Sequence, residues 1–253
     1  MVSKAVVGKM LKPFVAGRHD VVAVGKSLVL LPITIGVRSV VFHGSVYEKE
    51  SLWPATSAMP THGLLGVYGR AILHCRRPEG GFYGTTDSDF PLAVWTMLNE
   101  QALPELAAIR TAEDYIAFNS RGMKPAEFPF MQLAFAVTAG DFATAAMYNP
   151  RRVRVVFERQ PKGGANPGKR EAALRAFEEM WRNSAPLSYD VMDRYAPGLM
   201  ERFAEEGEAM SVDHKRALVA ALRRLEHDNI VRAGLEPYWQ KAEWPVEAML
   251  GMA

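Results

Sequence analysis

The chain has 253 residues, of which 49% are hydrophobic and 23% are charged. These values are typical of globular proteins and exclude wholesale disorder. The formal net charge is only +2, so the total charge does not predict a polyanionic partner. Cys75 is the single cysteine, which excludes an intramolecular disulfide and a zinc site built from several cysteines. A reducing cytoplasm is the simplest location for such a chain.

No stretch has the apolar length that a membrane span requires. The longest apolar run, 28–35, contains Pro32 and is far shorter than the roughly 20 residues that cross a bilayer. Lysines interrupt the apolar residues of 1–13, so this segment lacks the apolar core of a signal peptide. The spacing over 3–12 predicts an amphipathic helix, and we expect a soluble protein.

Residues 20–86 have the composition of a small, mainly antiparallel β-sheet. Residues 21–24 and 27–31 are rich in valine and leucine and flank Gly25-Lys26, a pattern typical of a β-hairpin. Residues 33–43 continue the enrichment in β-branched side chains, and Gly36 predicts a bulge or bend there.

The second half of this region is less regular. Residues 48–62 are rich in proline, serine and threonine, and we predict a loop. Residues 64–75 predict another strand or strand pair, followed by a turn at 76–81.

From residue 87 the pattern becomes helical, with helices predicted over 93–101, 104–109 and 111–118. The least polar long stretch of the chain is 130–148, which is broken only at Gly140-Asp141. Glycine favours a left-handed helix end and aspartate favours a helix N-cap. This stretch therefore predicts two short helices that form a buried hairpin at the centre of the core.

Alternating apolar residues over 152–158 predict a strand. The segment 161–168 contains two prolines and three glycines and is the best candidate for a linker. The remaining sequence is helical in pattern, over 169–183, 188–195 and 212–233, with Ser211 as a cap and Gly234 as a stop. We therefore predict an α+β domain over 1–160 and a helical subdomain over 169–253.

The predicted fold class is α+β, with an N-terminal, mainly antiparallel β-sheet and helices, followed by an α-helical C-terminal half. We expect the core to contain apolar residues from every part of this pattern. They are Leu30, Val40, Leu133, Phe135, Val137, Phe142, Phe177, Leu222 and Leu225.

Short motifs give no catalytic or cofactor signature. Gly25-Lys26-Ser27 resembles the end of a phosphate-binding loop, but Asp20 stands where that motif needs glycine, and a strand-like run follows. The six histidines have no recognised metal-ligand spacing. We therefore expect no cofactor and no metal site of known type.

Two groups of polar residues are candidate sites. The loops between 43 and 89 bring histidines and aspartates into one part of the sequence, and such groups serve as acids and bases in a hydrolase-like enzyme. The candidates are His43, His62, His74, Asp87 and Asp89.

The segment 151–175 carries eight basic and two acidic side chains, whereas 201–213 carries five acidic and one basic. The candidate binding residues of the basic segment are Arg151, Arg152, Arg154, Arg159, Lys162, Lys169 and Arg170.

Three functional classes remain open from the sequence. The leading one is a non-enzymatic, cytosolic protein-binding protein of the adaptor or toxin-immunity type, which uses the charged segments and the aromatic residues Trp53, Tyr238, Trp239 and Trp244 as interface anchors. The second is an enzyme that uses the histidines and aspartates of the 43–89 region. The third is a nucleic-acid binder that uses the basic 151–175 segment.

Overall fold

The computed structural model describes residues 3–44, 52–61, 71–72, 83, 87–120, 129–149, 192 and 194–252. It confirms the α+β class, with an N-terminal antiparallel sheet and a mostly helical C-terminal half. The chain divides into two compact units. We call Met1–Pro60, Leu65–Asn119 and Ile230–Lys241 the sheet unit, and Thr61–Leu64, Ser120–Asn229 and Ala242–Ala253 the helical unit.

In the part of the chain that the structure describes, five antiparallel strands lie in sequential order. They are β1 Val21–Val24, β2 Ser27–Leu30, β3 Gly36–Gly44, β4 Leu52–Pro60 and β5 Ala71–Ile72. The predicted hairpin is confirmed, because Val24 pairs with Ser27 across the two-residue turn. Gly25 has a φ of 63°, which is the conformation that a type II′ turn requires at its first central residue.

The prediction of a loop over 48–62 is wrong for its described residues, since β4 runs beside β3 along its whole length. Pro54 and Pro60 and the polar residues between them have a loop-like composition. Ala55, Thr56, Ser57 and Ala58 are nevertheless all buried, so both faces of β4 are covered. A strand buried on both faces shows no alternation of polar and apolar residues, which is the pattern that sequence reasoning relies on.

The sheet unit also contains α1 Lys4–Val15, α2 Phe90–Met97, α3 Leu103–Ala107 and α4 Ala112–Ser120. The predicted N-terminal helix is α1, which Ser3 caps by accepting a hydrogen bond from the Val6 N–H. The helices predicted over 93–101 and 104–109 are continuous, because a π-helical turn over Leu98–Ala102 joins α2 to α3. Pro104 lacks a backbone donor, and the wide turn lies just before it.

Helix α4 is capped at its N-terminus and is hydrogen-bonded to strand β4 near its C-terminus. The predicted capping box is present, since Thr111 Oγ1 accepts from the Asp114 N–H and Asp114 Oδ2 accepts from the Thr111 N–H. Asn119 donates from Nδ2 to the Ala58 carbonyl at 2.8 Å, which ties α4 to β4. Gly36 is not a bulge, because it pairs with Pro60 in the regular register.

The helical unit contains α5 Pro129–Ala139, α6 Phe142–Met147, α7 Leu199–Glu206, most of α8 Val212–Arg232, and α9 Pro245–Met249. The predicted hairpin of α5 and α6 is confirmed. Gly140 ends α5 with a φ of 83°, and Asp141 accepts from the Thr144 N–H at 2.9 Å. Ser211 caps α8, and Gly234 follows it in the left-handed conformation, both as predicted.

All but one of the predicted core residues are confirmed as buried. The exception is Phe177, which lies outside the described residues, as do the strand predicted over 152–158, the linker 161–168 and the helix 169–183. The domain boundary at that linker therefore stays a prediction. Among the described residues, no helix is both long and apolar enough to span a membrane.

Candidate binding site

The sheet unit contains a pocket on the face of the sheet opposite α4, because Gly36, which approaches Tyr115 of α4, alternates with the pocket residue Val37 along β3. Residues directly opposite each other on paired strands share a face, and the register places Val29, Ser39 and Ser57 in one row. Ser27 and Val41 form the next row. The pocket is lined by Val24, Ser27, Val29, Val37, Ser39, Val41, Ser57, Met59, Ala233 and Leu235.

The pocket has apolar walls and a floor with two hydroxyl groups. Ser39 and Ser57 are a cross-strand pair, and only 7% and 4% of their surfaces are exposed. Within the described part of the chain, neither hydroxyl takes part in a hydrogen bond. The two hydroxyl groups of the floor can therefore donate a hydrogen bond to a group that enters between the valine side chains, or accept one from it.

The size of the pocket limits what can enter it. Its volume is about 110 Å³, and it is partly open to solvent. An apolar cavity of about 150 Å³ accepts a benzene ring. The pocket thus has room for one branched aliphatic side chain, with a polar atom directed at the serine floor.

The C-terminal end of α8 and the residues after it build the far wall. Ile230 and Leu235 pack against Val29, Ile33 and Val37 in one apolar cluster. The Gln240 N–H donates to the Ile33 carbonyl at 2.8 Å, and Trp239 forms a parallel bridge with Ile33. These backbone contacts fix the wall, so the pocket is preformed.

His43 lies on the same face of β3 as the pocket, two residues beyond Val41. It is half-buried. Burial lowers its pKa below the ordinary value of about 6.5, and the positive charge of Lys26 lowers this pKa further. The neutral form of the imidazole therefore predominates at pH 7.

The other residues of the predicted histidine and aspartate site are not joined to His43 in the described residues. Asp87 accepts from the Phe90 N–H through its backbone carbonyl, at the start of α2. Asp89 is the exposed residue just before α2. His62 and His74 lie outside the described residues, so the assembled site stays a prediction. No group of metal-binding side chains occurs in the described ranges.

The predicted basic binding segment cannot be placed either. Its residues Arg151, Arg152, Arg154, Arg159, Lys162, Lys169 and Arg170 all lie outside the described part of the chain. The acidic segment 201–213 is described, and its Glu206 approaches His214 Nδ1 at 3.8 Å. Pairing between the two segments therefore stays untested.

The aromatic residues proposed as exposed anchors need one correction. Trp244 is buried in the apolar core of the helical unit, with 4% of its surface exposed, and the guanidinium carbon of Arg223 lies 3.5 Å from its ring centroid. Tyr238 and Trp239 are half-buried against the apolar cluster beneath the sheet. The side chain of Trp53 lies outside the described part.

Sequence reasoning missed two arrangements. The serine floor was missed because Ser39 and Ser57, which lie on two different strands, come together only once the strand register is known. The second is a buried ionic network in the helical unit, built from Arg223, Glu226 and Glu247. Its only local signal is the Arg223–Glu226 spacing of three residues, which is typical of an ordinary helix surface pair.

Comparison with protein-family models, curated proteins and solved structures gives no match. The function must therefore be argued from the geometry of the chain itself.

The lowered pKa of His43 makes a pH-dependent prediction. The unfolded chain binds a proton at His43 near pH 6.5, whereas the folded chain binds it only at lower pH. The contribution of His43 to stability is thus fully present above pH 6.5 and is lost as the pH falls toward the folded-state pKa. NMR titration of the His43 ring should give a pKa below 6.5, and His43→Gln should reduce the slope of stability against pH in this window. A measured pKa at or above 6.5 would contradict the burial argument.

Proposed function

We propose that this chain is a non-enzymatic binding protein that recognises a protein partner, and that the sheet-face pocket receives an apolar side chain of that partner. The single observation that carries the proposal is a preformed pocket with valine walls and two buried hydroxyl groups. Buried anchor side chains that fill such pockets contribute most of the affinity in protein interfaces.

The volume of the pocket favours a side chain over a free ligand. Pockets for small molecules and cofactors are typically about 300–1,000 Å³. The pocket in the sheet unit has only about 110 Å³. It therefore suits one group of a larger partner, which makes its remaining contacts outside the pocket.

The chemistry of the pocket also favours binding over catalysis. A serine nucleophile needs a base within hydrogen-bond reach. In the described residues, no hydrogen bond joins Ser39 or Ser57 to His43 or to any other base. The serines therefore act as hydrogen-bonding groups for a bound segment.

The kind of partner follows from the rest of the sequence. Opposite charge segregation over 151–175 and 201–213 supports a charged protein partner, because complementary charges direct association. Together with the single cysteine, this favours a cytosolic adaptor or a toxin-immunity protein. Nucleic acid is the alternative partner of the basic segment alone.

The proposal is tested by selecting peptides from a random display library on the wild-type protein and measuring their affinities for pocket variants. Ser27→Leu fills the pocket from its half-buried rim, whereas Ser27→Ala at the same position keeps it open. We expect Ser27→Leu to weaken binding about 30-fold, the loss of an anchor worth about 2 kcal/mol. Ser27→Ala should bind within about threefold of the wild type.

One result would contradict the proposed role of the pocket. Selected peptides that bind Ser27→Leu as tightly as the wild type would show that the pocket takes no part in recognition. Far-UV circular dichroism of both variants establishes that the sheet is intact, and Ser39→Ala tests the floor hydroxyl with little change in pocket volume.

A further inference from the structure

The floor of the pocket determines which side chain of a partner fits best. Ser39 and Ser57 lie directly opposite each other on β3 and β4, and both are almost completely buried. Val29 lies opposite Ser39 on β2, and Val37 and Val41 lie two residues away from it on the same face of β3. The floor is thus a pair of hydroxyl groups set in an apolar surface.

The two hydroxyl groups need partners from outside the described part of the chain. Ser39 and Ser57 have no hydrogen bond to a described residue and are not bonded to each other. The pocket is partly open, so solvent can hydrate these groups in the free protein. A purely apolar side chain that displaces this water leaves two buried hydroxyl groups unpaired, which is unfavourable. A well-fitting side chain must therefore bring a polar atom to the floor.

The spacing of the serine pair fits a single oxygen atom. The Cβ atoms of directly opposed residues on antiparallel strands are about 4.5–5.5 Å apart. An O–H···O hydrogen bond joins two oxygen atoms about 2.7–2.8 Å apart. One oxygen placed between Ser39 and Ser57 can therefore bond to both. A hydroxyl group serves both bonds, because it accepts from one serine and donates to the other.

Size and charge exclude most other polar side chains. The pocket volume of about 110 Å³ is smaller than the roughly 150 Å³ that accepts a benzene ring, which excludes tyrosine. All the lining residues are uncharged, so an inserted carboxylate or ammonium group would lack a counter-charge there. An amide side chain adds two N–H donors, for which the valine side chains offer no acceptor. Serine and threonine remain, and the threonine methyl group adds apolar contact with the valine walls.

We propose that the pocket selects a threonine side chain of the partner, with its hydroxyl group between Ser39 and Ser57 and its methyl group against the valine walls. This inference rests on the proposed function, because it requires that the pocket receives a side chain of a partner. Valine is close to threonine in shape but has no hydroxyl group. A site that hydrogen-bonds a hydroxyl group discriminates against the analogue that lacks it, because its own polar groups are then left unpaired.

Selections from a random peptide display library on the wild type and on the double variant Ser39→Ala/Ser57→Ala test the proposal. We expect one peptide position to be enriched in threonine on the wild type and in valine on the double variant. Exchange of that threonine for valine in a selected peptide should weaken binding to the wild type about tenfold. The same exchange should change binding to the double variant by less than about twofold.

A surface serine supplies the matched control. Ser88 is exposed, lies outside the pocket lining and donates to the Asp89 carboxylate. Ser88→Ala should therefore keep the full preference for threonine over valine. Circular dichroism checks that each variant is folded, and the single variants Ser39→Ala and Ser57→Ala should each reduce the preference in part.

The outcomes separate this proposal from the proposed function. Peptides that lose binding to Ser27→Leu, but bind the wild type equally well with threonine or valine, would overturn the threonine selection and leave the pocket as a binding site. A threonine preference that persists in the double variant would overturn it too, because the serines would not be its cause. A library that yields no binder, or only peptides that bind Ser27→Leu as tightly as the wild type, would overturn both proposals.

Discussion

Arg223→Met is expected to destabilise the protein by about 3–5 kcal/mol, because it removes a positive charge that pairs with a buried carboxylate. Glu226 has no exposed surface, and Arg223 Nη1 donates to its Oε2 at 2.7 Å. Thr61 Oγ1 donates to Glu226 Oε1 at 2.5 Å. A neutral methionine cannot replace the positive charge, although it keeps most of the side-chain length.

The same arginine also anchors the C-terminal segment of the helical unit. Its Nε donates to Glu247 Oε1 at 2.8 Å, its Nη2 donates to the Ala242 carbonyl at 2.7 Å, and its guanidinium stacks on Trp244. Loss of Arg223 therefore removes contacts that hold α9, in addition to its ion pair with Glu226. A lysine would be a poor substitute, because it has no planar guanidinium that can stack on Trp244 and form several hydrogen bonds at once.

The neighbouring arginine provides the matched control for this prediction. Arg224 is exposed on the same helix, so Arg224→Met should change the free energy of unfolding by less than about 0.5 kcal/mol. Urea denaturation followed by circular dichroism measures both variants. Glu226→Gln added to Arg223→Met should recover part of the lost stability, since it removes the buried negative charge that Arg223 balances. Equal stability of the Arg223→Met and Arg224→Met variants would show that Glu226 is not held by Arg223.

Gly36→Ala is expected to destabilise the protein by about 1–3 kcal/mol through overpacking. A Cβ atom at position 36 would overlap the ring of Tyr115, which is almost completely buried. Neither β3 nor the ring can move away freely, because Gly36 is paired with Pro60 and Tyr115 lies in the middle of α4. The cost arises from this close approach, since Gly36 does not have a positive φ.

Gly8 supplies a control in which the same substitution has the opposite sign. It lies inside α1, and a Cβ atom there would meet nothing within 4 Å. Gly8→Ala should therefore stabilise the protein by about 0.5–1 kcal/mol, through the higher helix propensity of alanine. Thermal unfolding of the two variants should shift in opposite directions. If Gly36→Ala is as stable as the wild type, the packing of α4 on the sheet is not as close as described.

The parts of the fold that could be predicted are those set by local chemistry. Gly25 in the hairpin turn, Gly140-Asp141 between α5 and α6, and Ser211 at the start of α8 each satisfy a requirement of the backbone within a few residues. Such signals do not depend on the rest of the chain. This is why the hairpin, the helix pair and the long helix were all predicted correctly.

The parts that could not be predicted depend on residues far apart in the sequence. The sequence of strand β4 predicts a loop because its side chains are small and do not alternate between polar and apolar. These side chains fit because both faces of β4 are covered, which only the folded protein reveals. The serine floor needs the pairing of β3 with β4, and the ionic network joins Arg223 to Glu247 across 24 positions. Neither arrangement has a periodicity or a spacing that a single segment reveals.

Native mass spectrometry of the protein purified from its own host, at low and high salt, tests the proposed protein-binding function most directly. We predict the mass of the chain together with a stoichiometric protein partner. Partial loss of that partner at high salt would add support for the charged segments, since salt screens exposed charges. A chain that carries only a metal ion, a nucleotide or another small molecule, with no protein bound, would contradict the proposal and favour an enzyme.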